Sequence, residues 1–518
     1  MERPDTVPAL LALAGESLID RGSTLAYRTL ERESAGLARG LRELGVRRGD
    51  RVALWLPSIP AWLATFAACA RLGAIAVSLN TRFRSAEIAD IVSRSGCRAL
   101  VYWPHFRNID FRGILAACDP AALRPLAARI AYGEDEPSAY HELAALPPLE
   151  DDASAADAPC IIFTTSGTTK APKFVLHDQQ TVLRHARDVA RHFGFTADGA
   201  RILVTAPFCG VFGFCNAMGA IAADKPLVTS PTFEAAEGAA LVRRHGITHF
   251  NCTDEMLAQM LAAVPEESAF PSLRFVGYAA FNPALADLPA RAAARGVKVV
   301  GLYGSSELQA LLARQSEQAP LEERALGGGR LVAGEGRVQA RDPATGARLP
   351  HGTSGELVFK VPSRMIGYYG NDAATREANT ADGWFRSGDL GYTTSERRFV
   401  FLTRLGDALR LSGFLVSPAE IEDILLELPQ VGAAQVVGVD TPGGTRAFAF
   451  VIPKTGKPLD EAGILGHCAA RLAKYKLPVR VHALAEFPVT PGANATKIQR
   501  GKLRELAREL LSFPAARR

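Results

Sequence analysis

The sequence predicts an α/β protein in which a large N-terminal domain of helix-covered β-sheets, including a β module, precedes a small α+β domain. Helical and strand patterns alternate from Leu25 to about residue 330, as in mainly parallel sheets. From there to Arg404, short strand-like runs are separated by Gly, Pro and Asp turns. The chain of 518 residues also exceeds what one hydrophobic core usually serves, so more than one domain is expected.

The alternation begins with a helix over ERESAGLARGLRELG and a strand at RVALWL. The next stretch, AWLATFAACARLGAIAVSLN, is apolar enough to suggest a membrane span, but Arg71 and Gly73 divide it into a helix-length and a strand-length piece. This division favours a buried helix–strand unit, and no transmembrane segment is expected. Further strands are predicted at ARILVTAP, DKPLVTS, THFNCTD, LRFVGYA and VKVVGLYG.

The last part of the chain has a different texture. GRVQARDPATGARLPHGTSGELVFKVP predicts an antiparallel β module. After Arg404 we expect a helix at PAEIEDILLELP, strands near AAQVVGV and AFAFVIP, a helix near EAGILGHCAARLAKY and a strand near VRVHAL. A unit of this size can form a separate domain. The predicted division is therefore residues 1–404 and residues 407–518.

Composition excludes several classes of protein. Hydrophobic residues make up 48% of the chain and charged residues 22%, as in globular enzymes. The 59 basic and 54 acidic residues are interspersed, so no nucleic-acid-binding footprint is expected. The eight cysteines form no C-x-x-C pair, which indicates buried free thiols in a reducing compartment. The N-terminus lacks a signal-peptide pattern, and a cytoplasmic location is expected.

The stretch TTSGTTKAPK, Thr164 to Lys173, has the hydroxyls, glycine and lysines of a phosphate-binding loop. It does not fit a Walker loop, because Lys173 follows proline and FVLH after it reads as a strand. The next helix begins only near Asp178, a plausible N-cap, which is too late to aim its dipole at the loop. The prediction is strand–loop–strand. Taken alone, the stretch equally fits a solvated Ser/Thr-rich turn.

Four further stretches follow in order: YGSSE, GWFRSGDLG, TRLGDALRLSGFLVSPAEIE and TKIQRGKLRE. Together with the loop, they resemble the acyl-adenylate-forming enzymes, which include acyl- and aryl-CoA synthetases, adenylation domains and firefly-type luciferases. The resemblance extends over nearly the whole chain. It implies that the small C-terminal domain is mobile and turns about a hinge at Leu405 and Gly406.

The resemblance implies that the loop surrounds the β- and γ-phosphates of ATP with hydroxyls, backbone N–H groups and an ammonium. The residues concerned are Thr165, Ser166, Gly167, Thr168, Thr169 and Lys173. It also implies that Glu307 holds Mg²⁺ and that Ser306 contacts the α-phosphate. Glu307 follows the strand VKVVGL, at the end where α/β sheets place their ligands.

The resemblance implies further nucleotide contacts. Asp389 would accept hydrogen bonds from the ribose hydroxyls, and Arg404 would bracket ribose or phosphate from the other side. The slot for adenine would be formed by Ala279, Ala280, Tyr303 and Gly304.

Lys497 in TKIQR is the residue expected to act in the first step, because carboxylate attack on the α-phosphorus calls for a cation that bridges both reactants. In the second step, the C-terminal domain is expected to rotate, remove Lys497 and present the face around Gly413 to a thiol. Coenzyme A is the thiol that the resemblance favours. The expected products are acyl-CoA, AMP and pyrophosphate.

This chain departs from the family pattern at several positions. Lys170 and Phe174 replace glycines in and after the phosphate loop, which predicts a stiffer and more basic loop. Gly406 replaces the usual Asp or Lys of the hinge, and Thr496 replaces the glycine before Lys497. None of these changes removes an expected phosphate or metal ligand.

The acid is expected to be an aliphatic or aromatic monocarboxylate rather than an amino acid. In APFCGVFGF, Gly210 occupies a position where relatives often carry a histidine or an aromatic residue, which opens room for a longer or bulkier acid. Phe208, Phe212 and Phe281 predict an apolar pocket, and no Asp in that segment could pair with an α-amino group. Two alternatives remain open: an adenylation enzyme that loads an acyl carrier protein, and a catalytically inactive binding relative.

Overall fold

A computed structural model describes residues 5–20, 22–133, 139–165, 172–266, 268–282, 285–411, 414–441, 444–454, 459–491 and 496–512. Helices α1 to α16 span, in chain order, Val7–Leu13, Tyr27–Glu43, Pro60–Leu72, Ser85–Ser95, Phe111–Ala116, Ala139–Ala144, Gln179–His192, Val211–Ala222, Ala235–His245, Asp254–Ala262, Leu288–Ala294, Leu321–Arg324, Asp372–Glu377, Pro418–Leu426, Glu461–Ala469 and Arg500–Ser512. A short 3₁₀ helix covers Lys474–Lys476.

Strands β1 to β29 span, in chain order, Ser17–Asp20, Ser23–Ala26, Arg51–Trp55, Ile75–Ser78, Cys97–Tyr102, His105–Phe106, Ile109–Asp110, Ala128–Ala131, Pro159–Thr165, Lys173–Asp178, Ile202–Val204, Leu227–Thr229, His249–Thr253, Phe275–Ala279, Val299–Ser305, Gln309–Arg314, Gly328–Leu331, Arg337–Arg341, Gly355–Lys360, Gly367–Tyr368, Phe385–Ser395, Arg398–Arg404, Leu409–Leu411, Phe414–Val416, Val431–Thr441, Gly444–Pro453, Pro478–Ala483, Val489–Pro491 and Thr496–Ile498.

Two large sheets form the N-terminal part of the described chain. The first has the order β20-β10-β9-β4-β3-β5-β8, in which β9, β4, β3, β5 and β8 are parallel and β10 and β20 are antiparallel additions. The second has the order β18-β19-β21-β22-β17-β16-β15-β14-β13-β11-β12-β1-β2, and its parallel core runs from β15 to β1. The predicted helix-covered parallel sheets are confirmed.

The predicted β module is antiparallel but not separate. Strands β16 to β19, β21 and β22 pair antiparallel, and β16 continues the second sheet directly from β15. The change in sequence texture near residue 330 therefore marks a change in strand direction within one sheet. It does not mark the start of another structural unit.

Helices α3, α7 and α8 contribute to the largest hydrophobic cluster, which contains residues of both large sheets. Helix α3 is apolar on nearly all sides, and eleven of its thirteen residues are buried. It ends at Gly73, whose φ of 67° is left-handed, and the chain then enters the buried strand β4. The predicted buried helix–strand unit is confirmed. Across the described residues, no helix combines the length and apolar character needed to cross a membrane.

The C-terminal part contains the helices and strands expected there: α14, the antiparallel pair β25 and β26, α15, and β27 parallel to β26. A hydrophobic cluster that includes Ile421, Val436 and Ile464 joins them. The sequence analysis did not anticipate α16, whose Leu503 and Ala507 pack with Phe448 and Phe450 of β26 in a second cluster. All eight cysteines are free and seven are buried, as predicted.

Candidate active site

The phosphate-loop stretch connects two paired strands. Strands β9 and β10 run antiparallel, with Thr165 opposite Lys173 and Thr164 opposite Phe174. Helix α7 begins only after Asp178, whose carboxylate accepts a hydrogen bond of 2.7 Å from the N–H of Thr181. The predicted strands on either side of the loop and the N-cap are confirmed. The loop itself, with Ser166, Gly167, Thr168 and Thr169, lies outside the described residues.

Phe174, one of the departures from the family pattern, is buried beside the base of the loop. The guanidinium of Arg94 lies 4.3 Å from the centroid of its ring. Arg94 is held by two hydrogen bonds to Asp90, of 2.7 and 2.8 Å, and by one of 3.0 Å to the carbonyl of Pro172. Aromatic packing and a cation–π contact therefore fix the strand that leaves the loop.

Lys173 and Glu307 are connected by Tyr368 of β20. The Lys173 ammonium lies 4.7 Å from the centroid of the Tyr368 ring, whose hydroxyl donates a hydrogen bond of 2.9 Å to Oε1 of Glu307. Burial and the neighbouring Glu307 raise the pKa of Tyr368, so the phenol stays protonated and remains a donor. Cation, phenol and carboxylate thus form one row across β10, β20 and the end of β15.

Two buried histidines hold the turn that carries Ser306 and Glu307. Nε2 of His177 donates to the carbonyl of Ser306 at 2.8 Å, and Nε2 of His185 donates to the carbonyl of Ala310 at 2.6 Å. Burial lowers the pKa of each histidine to about 4, which keeps both imidazoles neutral at ordinary pH. The strand and helix that follow the phosphate loop therefore anchor both ends of the Glu307 turn.

Tyr303, Asp389 and Arg404 come together from three strands. The Tyr303 hydroxyl donates to Oδ2 of Asp389 at 2.5 Å, and Nη1 of Arg404 lies 3.0 Å from Oδ1 in an ion pair. Asp389 pairs with Arg404 in the β21–β22 ladder; its side chain is 3% exposed, whereas that of Arg404 is 60% exposed.

Burial raises the pKa of Asp389, and the Arg404 charge opposes this rise. The same ion pair raises the pKa of Arg404. Oδ1 of Asp389 is buried and makes no hydrogen bond among the described residues, because the contact with Arg404 lacks hydrogen-bond geometry. This oxygen can therefore accept a hydrogen bond from a ligand hydroxyl.

The segment expected to border adenine follows β14. Ala279 ends that strand and Ala280 is exposed. The Asp254 carboxylate accepts hydrogen bonds from the backbone N–H groups of Phe281 at 2.7 Å and Asn282 at 2.6 Å. Asp254 is itself buried at the start of α10, so it fixes the path of this segment.

Gly304 is placed where a side chain would not fit. A Cβ atom added to it would lie 2.7 Å from Cα of Ala310 in the returning strand β16. The Tyr303 ring beside it is 8% exposed and stacks on Phe359 with ring centroids 5.6 Å apart. The absence of a side chain at Gly304 therefore lets the backbones of β15 and β16 pack closely at this point.

The residues expected to contact the acid differ in exposure. Phe208 is fully buried, with its ring centroid 6.0 Å from that of Trp62, and so supports this region from behind. Gly210 is the N-cap of α8, Phe212 in the first turn is half-buried, and Phe281 is 51% exposed.

A buried amide pair ties the first turn of α8 to β13. Nδ2 of Asn216 donates to the carbonyl of Phe212 at 2.9 Å, and Nδ2 of Asn251 donates to Oδ1 of Asn216 at 2.7 Å. Both asparagines are fully buried. The backbone around Phe212 is thus fixed from below.

Lys497 is the middle residue of β29, which pairs with β28 so that Lys497 lies opposite Thr490. Its side chain lies outside the described part of the structure, as does Gly413. Immediately after the hairpin, Arg500 donates to Oε1 of the buried Glu422 at 3.1 Å, and Arg504 donates to Asp407 at 3.1 Å. The backbone that carries Lys497 is therefore anchored within the C-terminal part.

Four residues of this site were missed by the sequence analysis: His177, His185, Asp254 and Tyr368. Asp254 follows the strand HFNCT, a position that faces a ligand edge in α/β sheets, so its placement was a usable signal. His177 lies near the end of β10, which runs antiparallel to β9 and ends away from the phosphate loop, so its position gave no such signal. Tyr368 acts on a carboxylate 61 residues away, and the sequence around it carries no corresponding signal.

Fold and site together define a nucleotide-handling α/β enzyme. A loop suited to phosphates, a carboxylate suited to a divalent cation and a buried carboxylate with a free acceptor oxygen lie along connected strands. The C-terminal part of the chain contains a lysine-bearing hairpin. The sequence profile of the AMP-binding enzyme family matches residues 3–369, and that of the AMP-binding enzyme C-terminal domain matches residues 420–493.

Comparisons with individual proteins agree with these matches. The chain is 30% identical to the sulfoacetate–CoA ligase of Cupriavidus necator, over 96% of this chain and 97% of that protein. It is 31% identical to the feruloyl-CoA synthase of an Amycolatopsis species, over 93% of this chain and 94% of that protein. The chain therefore belongs to the AMP-binding enzyme family, the AMP-dependent synthetases and ligases.

Solved structures share the fold. ATP-bound MatB from Rhodopseudomonas palustris has a TM-score of 0.85 at 23% identity, covering 98% of this chain and all of that one. The o-succinylbenzoate CoA synthetase MenE from Bacillus subtilis, in complex with its acyl-adenylate intermediate, has a TM-score of 0.79 at 24% identity, covering 97% and 98% of the two chains. At this level of identity the likeness concerns the fold alone.

Proposed function

We propose that this protein activates an aliphatic or aromatic monocarboxylate with ATP and transfers the acyl group to coenzyme A. The chain is an AMP-forming acid–thiol ligase of the acyl- and aryl-CoA synthetase class, as are the relatives that it matches along nearly its full length. In the first step the carboxylate attacks the α-phosphorus of ATP, giving acyl-adenylate and pyrophosphate. In the second step the thiol attacks the acyl carbon, AMP leaves, and the thiol proton is released.

The observation that carries this proposal is the buried Asp389, held by Tyr303 and Arg404, with one oxygen that makes no hydrogen bond. A pair of ribose hydroxyls offers the donors that this oxygen lacks. Arg404, which is mostly exposed, keeps part of its guanidinium free for ribose or phosphate. We propose that adenine binds beside Tyr303 and Gly304, where the small residues Ala279 and Ala280 leave room for a flat base.

Glu307 would hold Mg²⁺, for which a carboxylate is a suitable ligand. Tyr368 uses a single oxygen of this carboxylate, which leaves the other for the ion. Bound there, Mg²⁺ would offset the negative charge of the phosphates. Ser306 precedes Glu307 in the turn held by the two histidines, and its hydroxyl would contact the α-phosphate.

The loop residues Ser166, Gly167, Thr168 and Thr169, with Thr165 and Lys173 at its base, would surround the β- and γ-phosphates. Because α7 begins beyond β10, no helix dipole adds to this binding. Without a helix dipole, the hydroxyls and the Lys173 ammonium would bind pyrophosphate more weakly than a Walker loop does. Such a site suits a product that has to leave before the second step.

Lys497 would bridge the acid and the α-phosphate in the first step. The hydrogen bonds of Arg500 and Arg504 make the Lys497 hairpin move with the C-terminal part. Rotation about Leu405 and Gly406 would then withdraw Lys497 and bring the face around Gly413 to the thiol of coenzyme A. Residues 1–404 and 407–518 are the two units that this motion requires.

The acid is proposed to lie between the first turn of α8 and the segment after β14. Phe212 and Phe281 are accessible apolar side chains there, Phe208 packs behind them, and Gly210 leaves space. The segment from Ala206 to Asn216 contains no acidic residue that could pair with an α-amino group. This composition favours an uncharged hydrocarbon portion on the substrate.

Pyrophosphate release with a panel of acids tests this function. Fatty and aryl acids of graded length and ring content, together with amino acids, would be compared with coenzyme A, with an added acyl carrier protein, and with neither. The proposal predicts that hydrocarbon acids outperform amino acids and that acyl-CoA forms with release of AMP. Acylation of the carrier protein instead would support an adenylation enzyme, and no adenylate with any acid would support an inactive relative.

The acceptor and the location complete the proposal. Coenzyme A is the proposed thiol, and an acyl carrier protein is the alternative acceptor. Eight free cysteines favour a reducing compartment, and we propose the cytoplasm.

A further inference from the structure

A row of arginines crosses the second sheet at its antiparallel end. Arg314 of β16 lies directly opposite Arg330 of β17, and Arg330 lies directly opposite Arg398 of β22. Directly opposed residues in an antiparallel pair have Cβ atoms about 5 Å apart and point to the same face, where like charges destabilise the sheet. Three neighbouring strands thus place three positive charges side by side.

The three arginines are not compensated equally. Arg314 donates to Glu317 at 2.9 Å and to the carbonyl of His192 at 2.6 Å. In the described part of the chain, neither Arg330 nor Arg398 has a carboxylate within ion-pair distance. Two guanidinium groups on adjacent strands therefore face each other without a counter-charge.

Two of these arginines, Arg330 and Arg398, line a concave surface of about 410 Å³, together with Arg337, Arg397, Ser395 and Glu396. Glu396 is the one carboxylate of this lining, and it is already engaged by Arg337 at 3.4 Å and Arg348 at 3.8 Å. The concavity therefore keeps a positive charge after its internal ion pairs are counted.

Arg397 supplies an unused donor at this place. Its Nη2 group donates to the carbonyls of Leu331 at 3.3 Å and Ala333 at 2.9 Å, which fixes the side chain. Its Nε is buried and has no hydrogen-bond partner among the described residues. The pKa of Arg397 is lowered by burial and by the charges of Arg330 and Arg337. The pKa of the nearby His192 is lowered to about 4, first by burial and then by four arginines: Arg314, Arg330, Arg397 and Arg191. Both shifts agree with a positive potential.

We propose that this arginine concavity, formed by Arg330, Arg337, Arg397 and Arg398, is a second anion-binding site that takes a small molecule bearing a di- or triphosphate group. Guanidinium groups match phosphate oxygens in pairs, and a polyphosphate would supply the counter-charge that Arg330 and Arg398 lack. A concavity of about 410 Å³ has the size of a site for a small ligand.

The site is distinct from the proposed nucleotide site. Asp389 and Ser395 are six residues apart along β21, which corresponds to about 20 Å at the rise of an extended strand. Asp389 lies at the nucleotide end of the β21–β22 hairpin, and Arg398 lies at its turn. A ligand in the arginine concavity would leave the catalytic residues untouched.

Isothermal titration calorimetry with inorganic tripolyphosphate tests the proposal on the full chain. We expect two binding events in the wild-type protein, one at each site. The double variant Arg330→Gln/Arg398→Gln should lose one of them, with at least a tenfold weaker affinity at that site. The matched variant Arg39→Gln/Arg291→Gln removes the same charge from exposed arginines elsewhere and should keep both.

Two further measurements make the outcome decisive. Because Arg330→Gln/Arg398→Gln removes a like-charge pair, its melting temperature should equal or exceed that of the wild type. Tripolyphosphate should also protect the β17 and β22 backbone from hydrogen exchange in the wild type but not in this variant. A single binding event in all three proteins would overturn the proposal, as would two unchanged binding events in the double variant, or a folding defect in that variant.

Discussion

The carboxylates of the proposed nucleotide site, Asp389 and Glu307, differ from Lys497 in how they are held. We call the part of the large sheets that carries these two carboxylates the nucleotide edge. Near the proposed nucleotide site, Asp389 pairs with Arg404 of the adjacent strand, and Glu307 accepts a hydrogen bond from Tyr368, which belongs to the other large sheet. In the C-terminal part, the ion pair of Arg500 with Glu422 fixes the backbone that follows Lys497. In the first arrangement, the two carboxylates have their partners within the large sheets. In the second, the ion pair fixes the Lys497 backbone to the C-terminal part, which we propose to be mobile.

This difference assigns the binding of ATP to the fixed carboxylates, and it lets Lys497 act in only one of the two steps. A pre-paired carboxylate needs little reorganisation when ATP arrives, which is how electrostatic preorganisation favours a transition state. A lysine on a separate unit can be present in one step and absent in the next. The comparison predicts that changes at the two places will affect different half-reactions.

Replacing Glu307 is expected to have the largest effect at the nucleotide edge. Glu307→Gln keeps the acceptor for the Tyr368 hydroxyl but loses the charge proposed for Mg²⁺. Adenylate formation should fall by about 100-fold or more, as for loss of one transition-state stabilising group. Acid-dependent pyrophosphate exchange measures this step, and an unchanged melting temperature should show that the fold is retained. Exchange within a few-fold of wild type would remove Glu307 from the mechanism.

Restricting Gly406 should affect the second half-reaction more than the first. A Cβ atom at Gly406 would meet nothing within 4 Å, so Gly406→Ala is expected to be tolerated and serves as the control. Gly406→Pro fixes φ and should hinder a rotation. Consumption of preformed acyl-adenylate by coenzyme A should slow about tenfold or more in the proline variant, with a smaller change in adenylate formation. Equal losses in both steps would argue against a hinge here.

Removing the His177 imidazole tests whether the Glu307 turn is positioned from β10. His177→Leu leaves the part-buried Ser306 carbonyl without its donor, at a cost of about 1 kcal/mol in stability. We expect the apparent KM for Mg²⁺ to rise, and His177→Gln, which can still donate, to restore part of it. His249→Leu is the matched control, because His249 is buried and hydrogen-bonded to Thr248 away from the site. A similar KM shift in both leucine variants would show that His177 is only structural.

The smallest expected effect concerns His249, which makes the folded protein less stable as the pH falls. Burial, with Arg274 and Arg314 nearby, lowers the pKa of His249 from 6.5 to about 4. Below pH 6.5 the His249 side chain is protonated in the unfolded chain, but in the folded chain it stays neutral until about pH 4. The free energy of unfolding therefore decreases as the pH falls from 6.5 to about 4. The loss is at most about 1.4 kcal/mol per pH unit for one group. Urea unfolding of His249→Phe should show a shallower decline, and an unchanged slope would contradict this assignment.

The sequence predicted those parts of the fold that local patterns determine. Apolar runs of strand length located β3, β4 and β13 to β15, and the strand-like run FVLH excluded a helix directly after the phosphate loop. Helix α16 was missed although Leu503 and Ala507 are at helical spacing, because the stretch was interpreted only as a lysine-bearing motif. The pairing of β15 with β16 in a single sheet could not be predicted, because the pattern of apolar runs and turns does not show which strands are neighbours.

The site shows the same limit more sharply. Asp389 and Arg404 belong to recognisable motifs, and strand pairing explains why they meet. Tyr368 contacts Glu307 only because β20 pairs with β10, which depends on packing between distant parts of the chain. The directly opposed Arg330 and Arg398 likewise become visible only once the register of β17 against β22 is known.

The most direct test of the account compares the two half-reactions in Lys497→Ala, with Lys502→Ala as a control for an exposed lysine on the following helix. Adenylate formation is measured by pyrophosphate exchange, and the second step by consumption of preformed acyl-adenylate with coenzyme A. The account predicts that Lys497→Ala loses about 100-fold or more in the first step and stays within a few-fold of wild type in the second. Adenylate formation within a few-fold of wild type would contradict it.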